Sequence, residues 1–525
     1  MSIGKYLSLA SVVCLLPLSA CEEDDSTPQR DLQADGAVLP SSVGLPNAGG
    51  TQSDAGVSQP SSTGTLPGVD ASQGTSASPS SSDAGLGSSA PGQAVDAGGA
   101  APIAQGAKFF LPTGEPTNTA APRVEVDGAG NTHTVYPAFF KGDAFYTFCE
   151  GDCSDASKLK AVKLETDGTV YNAMLKLTPD GKPRVLLSGA SNNYWAECDQ
   201  GCTDRANWRY GQIQTHNGDL RITGEALALD AAGHPRFLVH ATRTLFGIGQ
   251  KTPQTSLAQC DADCTKPESW RYDVIAKDEI WEGSTLLFDQ TGKMHVATHV
   301  YSFGDMPSGA LGAYLTCSGT CNAEDTWHGI GFLAPYESTT EAIDMHPSIS
   351  LALNKAGHPR IAQLGKTPEG KKILSYFECE ESCESDHWKV GFTWPSDHLD
   401  DGVDLVLDKD DHPRFVHTLD YNIALTYCDA ADCTAADAKW ESLFVERGDD
   451  IPADSIFLEW NCTIGAWFLH SPSIALTPDG KPRIGYQIRD VSGAGATKPD
   501  PTKPGCTAGT DMTLSRLAAL PSHTK

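Results

Sequence analysis

The chain has 525 residues, with 67 acidic against 38 basic side chains, a formal net charge of −29 and 16 cysteines. So acidic a chain is a poor partner for nucleic acid or other polyanions; it suits neutral or cationic partners, or simply solubility. The charge is uneven, +1 over residues 1–20, −9 over 22–105 and −21 over 106–525.

Residues 1–20 carry Lys5, an apolar run from Leu7 to Leu18, and then Leu18-Ser19-Ala20-Cys21. A basic start, a short apolar core and small residues at the cut predict a secretory signal rather than a spanning helix. Leu18-Ser19-Ala20-Cys21 resembles a bacterial lipobox, which implies cleavage before Cys21 and acylation of that residue. The protein is then expected to be lipid-anchored at the bacterial outer membrane, facing the surface or the periplasm. Glu22, next to the cysteine, is compatible with outer-membrane sorting. Residues 22–105 contain no Phe, Trp or Tyr and are rich in Ser, Gly, Ala, Pro and Asp. Such a segment buries too little apolar surface to offset its ordering entropy, so residues 21–105 are expected to form a disordered tether. As a flexible coil it would reach roughly 50 Å.

From residue 106 onward a strand–turn–strand pattern recurs, clearest in Leu227-Ala-Leu-Asp-Ala-Ala-Gly-His-Pro-Arg-Phe-Leu-Val-His240. Seven copies align on a turn position at Gly130, Gly181, Gly233, Gly292, Gly357, Asp411 and Gly480. Gly suits a turn that needs positive φ, and Asp is tolerated there. Intervals of 51, 52, 59, 65, 54 and 69 residues leave room for four short strands, A to D, in each unit. The fold expected for 106–525 is therefore all-β, a seven-bladed β-propeller of four-stranded antiparallel blades.

In chain order, the C–D connections of the first six blades each hold a close cysteine pair. Cys149 stands near Cys153, Cys198 near Cys202, and Cys260 near Cys264. Cys317 stands near Cys321, Cys379 near Cys383, and Cys428 near Cys433. All but the first pair are followed by a tryptophan. An exported chain meets an oxidising compartment, so six local disulfides are expected. Zinc would need four ligands at one point, whereas each pair belongs to a different blade. The tryptophans read as blade-to-blade core. Blade 7 has no such hairpin; Asp511–Leu517 can serve as its strand C, and Lys108–Leu111, from the other end of the folded region, as its strand D. Cys462 and Cys506 remain, and pair by elimination.

The stretch Ser473-Ile-Ala-Leu-Thr-Pro-Asp-Gly-Lys-Pro-Arg-Ile-Gly-Tyr486 is similar to repeats of secreted bacterial propeller lipoproteins. It also looks distantly like sialidase-type and polysaccharide-lyase propellers, over about residues 107–520. The Ser-x-Asp-x-Gly-x-x-Trp box of sialidases is absent, Pro-Arg standing in place of its last part.

This strand order puts A–B and C–D turns on one face and the B–C and D–A loops on the other, around the axis. Residues recurring in most blades, such as Arg184, Arg236, Arg360, Arg414 and Arg483, are read as architectural. His234, His358 and His412 fall on the turn face. Non-repeating residues on the loop face are the site candidates. His240, His299, His346, His417, His470, Tyr421 and Arg489 are expected to bind a ligand, with His240, His417, Tyr421 and Arg489 the catalytic candidates if there is chemistry. Trp281-Glu282 lies on the approach to a strand A on the same face.

The leading reading is a propeller that binds a glycan or protein of the cell surface or periplasm through its loop face, as a monomer. A second is a polysaccharide-lyase-like enzyme with a His or Tyr base and an Arg facing a carboxylate. A third is a metal-dependent enzyme using His240, His299, His346 and His417, although no specific metal motif is present and no cofactor is expected.

Overall fold

The computed structural model describes residues 102–522 apart from 115–116, 139–141, 190–191, 216–219, 244–253, 303–309, 333, 336–347, 368–370, 452–466 and 491–511. Cys21, His346, Cys462 and Cys506 lie outside the described residues, as do the signal and almost all of the tether. Among the described residues no helix is long and apolar enough to cross a membrane.

Seven antiparallel sheets form a ring, and the expected seven-bladed propeller is the fold. The A strands are Arg123–Val126, Asn172–Leu177, Leu220–Leu229, Glu279–Phe288, Ile349–Leu353, Leu399–Leu407 and Trp467–Leu476. Each touches the next, and the last touches the first. Blade 5 adds a strand that the sequence does not announce, Ala334–Pro335, paired with Gly365 and Lys366. Blade 7 closes the ring: Ala107–Phe110 pairs with Met512–Ala519, from Ala107 opposite Ala519 to Phe110 opposite Arg516. Just before this strand the chain also lies on the edge of blade 6. There the Ala104 N–H donates to the Phe444 carbonyl at 2.7 Å, and Phe444 N–H to that of Pro102 at 2.9 Å.

The repeat sorts its residues by physical duty. At the seven turn positions φ lies between 64° and 85°, the left-handed region in which Gly has no Cβ penalty. Six residues before each turn position stand Val124, Leu175, Leu227, Leu286, Leu351, Leu405 and Ile474, none more than 5% exposed. Burying each is worth roughly 1.5–3 kcal/mol before chain entropy is counted. Each of the seven belongs to a different apolar cluster, one at each junction between neighbouring blades.

All six hairpin cysteine pairs are disulfides, with Cα separations of 5.6 to 6.1 Å. Cys149 is bonded to Cys153, Cys198 to Cys202, and Cys260 to Cys264. Cys317 is bonded to Cys321, Cys379 to Cys383, and Cys428 to Cys433. So short a loop gains only roughly 2 kcal/mol per bridge; its larger effect is to position the tryptophan that follows. Trp208, Trp270 and Trp388 donate Nε1–H to the carbonyls of Cys202, Cys264 and Cys383 at 2.7 to 2.9 Å. Their rings pack on an aromatic residue in strand C of the preceding blade: Trp208 on Tyr146, Trp270 on Trp195, Trp388 on Tyr314, and likewise Trp440 on Tyr376.

Where blades 6 and 7 meet, no tryptophan wedge is available, and a buried ion pair takes its place. Arg516 donates from Nε and Nη2 to Glu446 at 2.7 and 2.6 Å, and Tyr486 donates its hydroxyl to the same carboxylate at 2.6 Å. The guanidinium also lies 4.3 Å from the ring centroid of Phe110, on the closing strand. Removing one partner of such a pair leaves a buried charge alone, so Arg516→Ala is expected to cost about 3–5 kcal/mol. Urea unfolding measures this directly; a loss below about 1 kcal/mol would show that closure does not depend on the pair.

Candidate functional site

The two ends of the blades differ in how far their polar groups are already used. On the turn side, Asp127, Asp230, Asp289, Asn354 and Asp408 each accept, through Oδ1, the N–H groups two and four residues on, at 2.8 to 3.0 Å. Arg184, Arg236, Arg360 and Arg414 donate to the carbonyl of the first hairpin cysteine at 2.8 to 3.1 Å. Each also pairs with the acidic residue after it: Asp199, Asp261, Glu380 or Asp429. In blades 1 and 4 the arginine is replaced by His133 and His295, whose Nδ1 atoms lie 2.7 and 2.6 Å from the hydroxyls of Tyr146 and Tyr314. His234, His358 and His412 contact Asp230, Glu380 and Asp408, on this same side. Asp408, His412 and Asp429 are close enough to hold a metal, but Arg414 already bridges the two carboxylates.

On the loop side the A strands of blades 3, 4, 6 and 7 slip register, with positive φ at Ala226, Gly283, Gly402 and Ser471. Such bulges re-aim the side chains beside them. The residue before each positive φ is Glu225, Glu282, Asp401 or His470. Glu225 reaches into the next blade, accepting from Ser284 N–H at 3.1 Å and Gly283 N–H at 3.3 Å, and its Oε1 stands 3.0 Å from His240 Nε2. Both Glu225 and His240 are buried. Burial pushes the carboxyl of Glu282 up to about 7, and the nearby Glu225 charge adds to this while His240 opposes it. Burial alone would lower the His240 pKa, but the Glu225 and Glu282 carboxylates reverse the direction and raise it. Tyr301 is half-buried beside them, its phenol held protonated by burial and by the same two carboxylates. A carboxyl titrating near neutrality beside a second carboxylate and an imidazole can give or accept a proton.

The histidines singled out by sequence have separate partners. His299 is buried, with Ser348 Oγ 3.0 Å from Nδ1 and the Gln363 amide nitrogen 3.4 Å from Nε2, and burial pushes its pKa down to about 3. His417 is fully buried, 3.0 Å from Thr426 Oγ1 and edge-on to Trp394, and burial pushes it down to about 4. His470 is half-buried, its Nδ1 2.9 Å from Ser471 Oγ. Sequence reasoning passed over Glu225 altogether; the only signal was an acidic residue directly before the apolar run Ala226-Leu-Ala-Leu229.

Tyr421 and Arg489 are exposed. Tyr421 is 44% exposed and stacks on Phe468, with ring centroids 3.9 Å apart and planes within 7°. Phe468 and Arg489 are direct ladder partners. Asp420 and Tyr421 form a two-residue hairpin with φ of 50° and 57°, a turn usually made by Asn-Gly. A tyrosine there costs about 1–3 kcal/mol of backbone strain. The turn is pinned on two sides, by Asp420 N–H donating to His398 O and Leu469 N–H donating to Tyr421 O, both at 2.7 Å.

Between these ends, the A strands of all seven blades surround an axial cavity of 410 Å³. Its charged lining is Arg123, Glu125, Lys176, Glu225 and Asp404. Lys176 pairs with Glu125. Asp404 accepts from Ser350 Oγ at 2.9 Å, Ile474 N–H at 2.8 Å and Leu405 N–H at 3.1 Å. None of these five residues had been singled out from the sequence.

No protein-family model matches the chain, and no curated protein does so either. Among solved structures, the polysaccharide lyase Uly1 is similar at 9% identity and a TM-score of 0.41, over 81% of this chain and 94% of that one. The NanB sialidase of Streptococcus pneumoniae is similar at 9% identity and a TM-score of 0.39, over 79% and 71%. The α-L-arabinofuranosidase of Fusarium graminearum is similar at 8% identity and a TM-score of 0.39, over 65% and 97%. No activity is carried over from likenesses of this size.

The titrations on the loop side oppose one another. His299 and His417 have lowered values, so their contribution is complete above about pH 6.5 and lost as the pH falls toward 4 and then 3. Glu282 has a raised value, so its contribution is complete below about pH 4.5 and lost as the pH rises through about 7. Glu282→Gln is therefore expected to raise the melting midpoint at pH 8 and change it little at pH 5. Equal shifts at both values would remove the coupling to Glu225 and His240.

Proposed function

We propose that this chain is an exported propeller, lipid-anchored through Cys21 at the bacterial outer membrane, that binds a glycan through its loop-rich face. The observation that carries the reading is the Tyr421–Phe468 pair, an aromatic surface kept exposed at the expense of backbone strain. Flat aromatic faces suit the C–H face of a sugar ring, and a turn fixed on two sides loses little entropy on binding. Arg489 and His470 belong to the same strand pair as Phe468, and His240 to the loop side of blade 3. His346 is proposed to belong to the same face, while His240, His299 and His417, which are buried, are proposed to support it rather than to touch the ligand in this conformation. The turn side, by contrast, has its repeated polar groups committed within the blades. Six disulfides fit an oxidising compartment. The acidic surface fits a partner other than nucleic acid, and a tethered monomer needs no further copy of the chain to present this face.

A catalytic reading of the same face rests on Glu225, His240 and Glu282, where a carboxyl titrating near neutrality adjoins an ion-paired imidazole. A glycan that is cleaved rather than retained on incubation would favour it.

Two measurements test the proposal. Cys21→Ser should move the protein from the membrane to the soluble fraction; unchanged membrane association would sink the anchor. Asn tolerates the left-handed conformation, so Tyr421→Asn removes the ring without forcing the turn. It should weaken glycan-array binding by about tenfold, while stability shifts by about 1 kcal/mol or less, because the lost stacking and the relieved strain offset each other. Retention of full binding by this variant would reject the platform.

A further inference from the structure

We infer that the axial cavity is a binding site for a small hydroxylated monocarboxylate, with the Arg123 guanidinium seating the carboxylate. Arg123 opens strand A of blade 1 and lines the cavity. Its Nε is sealed from solvent without a hydrogen-bond partner, and no described residue accepts a hydrogen bond from its guanidinium. An arginine carries five N–H donors in a rigid planar fork, and a buried donor left unsatisfied costs about 1–3 kcal/mol. Arg123 as a whole is half-buried, and an arginine so placed is normally engaged by the carboxylates around it, as the buried Arg516 is by Glu446.

Here the neighbouring carboxylates supply charge without supplying acceptors. Asp404 and Glu225 are the anions whose fields act on Arg123. Both have their oxygens turned to other donors: Asp404 to Ser350, Leu405 and Ile474, and Glu225 to Gly283 and Ser284, with His240 Nε2 ion-paired 3.0 Å from its Oε1. Burial lowers the Arg123 pKa and the two carboxylates oppose that in part; a guanidinium stays protonated in proteins. The fork thus lines a walled cavity without an acceptor among the described residues.

Charge and volume narrow the ligand. A planar carboxylate matches the guanidinium fork with two parallel hydrogen bonds. A dianion would meet Glu125, Glu225 and Asp404 together, so a single negative charge is preferred; Lys176 is already neutralised by Glu125. Asp404 Oδ2 and Glu225 Oε2 each accept a single hydrogen bond among the described residues, so each keeps a lone pair to which a ligand hydroxyl can donate. A cavity of 410 Å³ is within the usual size range of small-molecule sites. The site is distinct from the aromatic platform and does not rest on the glycan reading.

The test uses the full-length protein in detergent at constant ionic strength, with gluconate and lactate as probes and sorbitol and lactamide as their uncharged counterparts. Calorimetry should show saturable binding of at least one carboxylate and none of its neutral counterpart. Arg123→Gln should weaken that binding about tenfold or more. Arg123→Lys, which keeps the charge but loses the fork, should fall between the two. If neither carboxylate binds the unmutated protein better than its neutral counterpart, the inference fails, whatever the variants do. Arg123→Gln binding as tightly as the unmutated protein would also overturn it. Tyr421→Asn should leave gluconate binding unchanged, which separates this site from the loop face.

Discussion

The seventh sheet has four strands like its neighbours only because the far end of the chain supplies the last one. That completion falls to four residues, Ala107–Phe110, laid on Met512–Ala519. Everything else in the molecule presupposes it. An open ring would expose the edge of strand Met512–Ala519 and strip Phe109 from the apolar cluster of Val124 and Phe110 from that of Ile474. The junction at this point differs from the others in chemistry as well. A charged cluster of Glu446, Arg516 and Tyr486 joins blades 6 and 7, whereas four other junctions are packed by a disulfide-mounted tryptophan. A dispersive wedge tolerates small shifts, whereas a bidentate ion pair does not, so closure is fixed in register as well as in energy.

The axis of each strand A separates two kinds of constraint. Toward the turn, the side chain must satisfy a local geometry repeated seven times, and Asx-type acceptors and arginines meet it almost identically in blade after blade. Toward the loops, four strands bulge, and the residues at the bulges cease to resemble one another. Glu225 from blade 3 closes the bulge of blade 4, and Asp404 from blade 6 receives the backbone of blade 7. Carboxylates thus tie neighbouring blades together around the axis while lending the cavity its electrostatic character. The same groups support the architecture and shape what the cavity can hold.

The sequence announced the architecture because a repeat is read seven times, so one irregular copy does not mislead. The turn glycines, the cysteine hairpins and the borrowed strand were all legible in that way. The candidate site was less so. His417 and His299 stand at strand ends, where residues often face a ligand, but burial between blades is a property of packing that no single strand reveals. Glu225 was hidden because it acts on backbone 58 and 59 residues away. Arg123 was hidden because nothing in the sequence distinguishes a paired arginine from one whose neighbours have spent their oxygens elsewhere. Tyr421 was visible as an exception within its hairpin, and the positive φ of its turn is the physical form of that exception.

The pairing of residues 102–104 with Phe444 has a mechanical side. A pull on the chain from upstream of residue 102 reaches the outer strand of blade 6 before it reaches the closing strand. The two hydrogen bonds at Phe444 act as a strain relief, much as a cable is clamped ahead of its connector. Load applied at the amino-terminal end is then spread over two blades, and the short strand that completes the ring is not the first thing to peel.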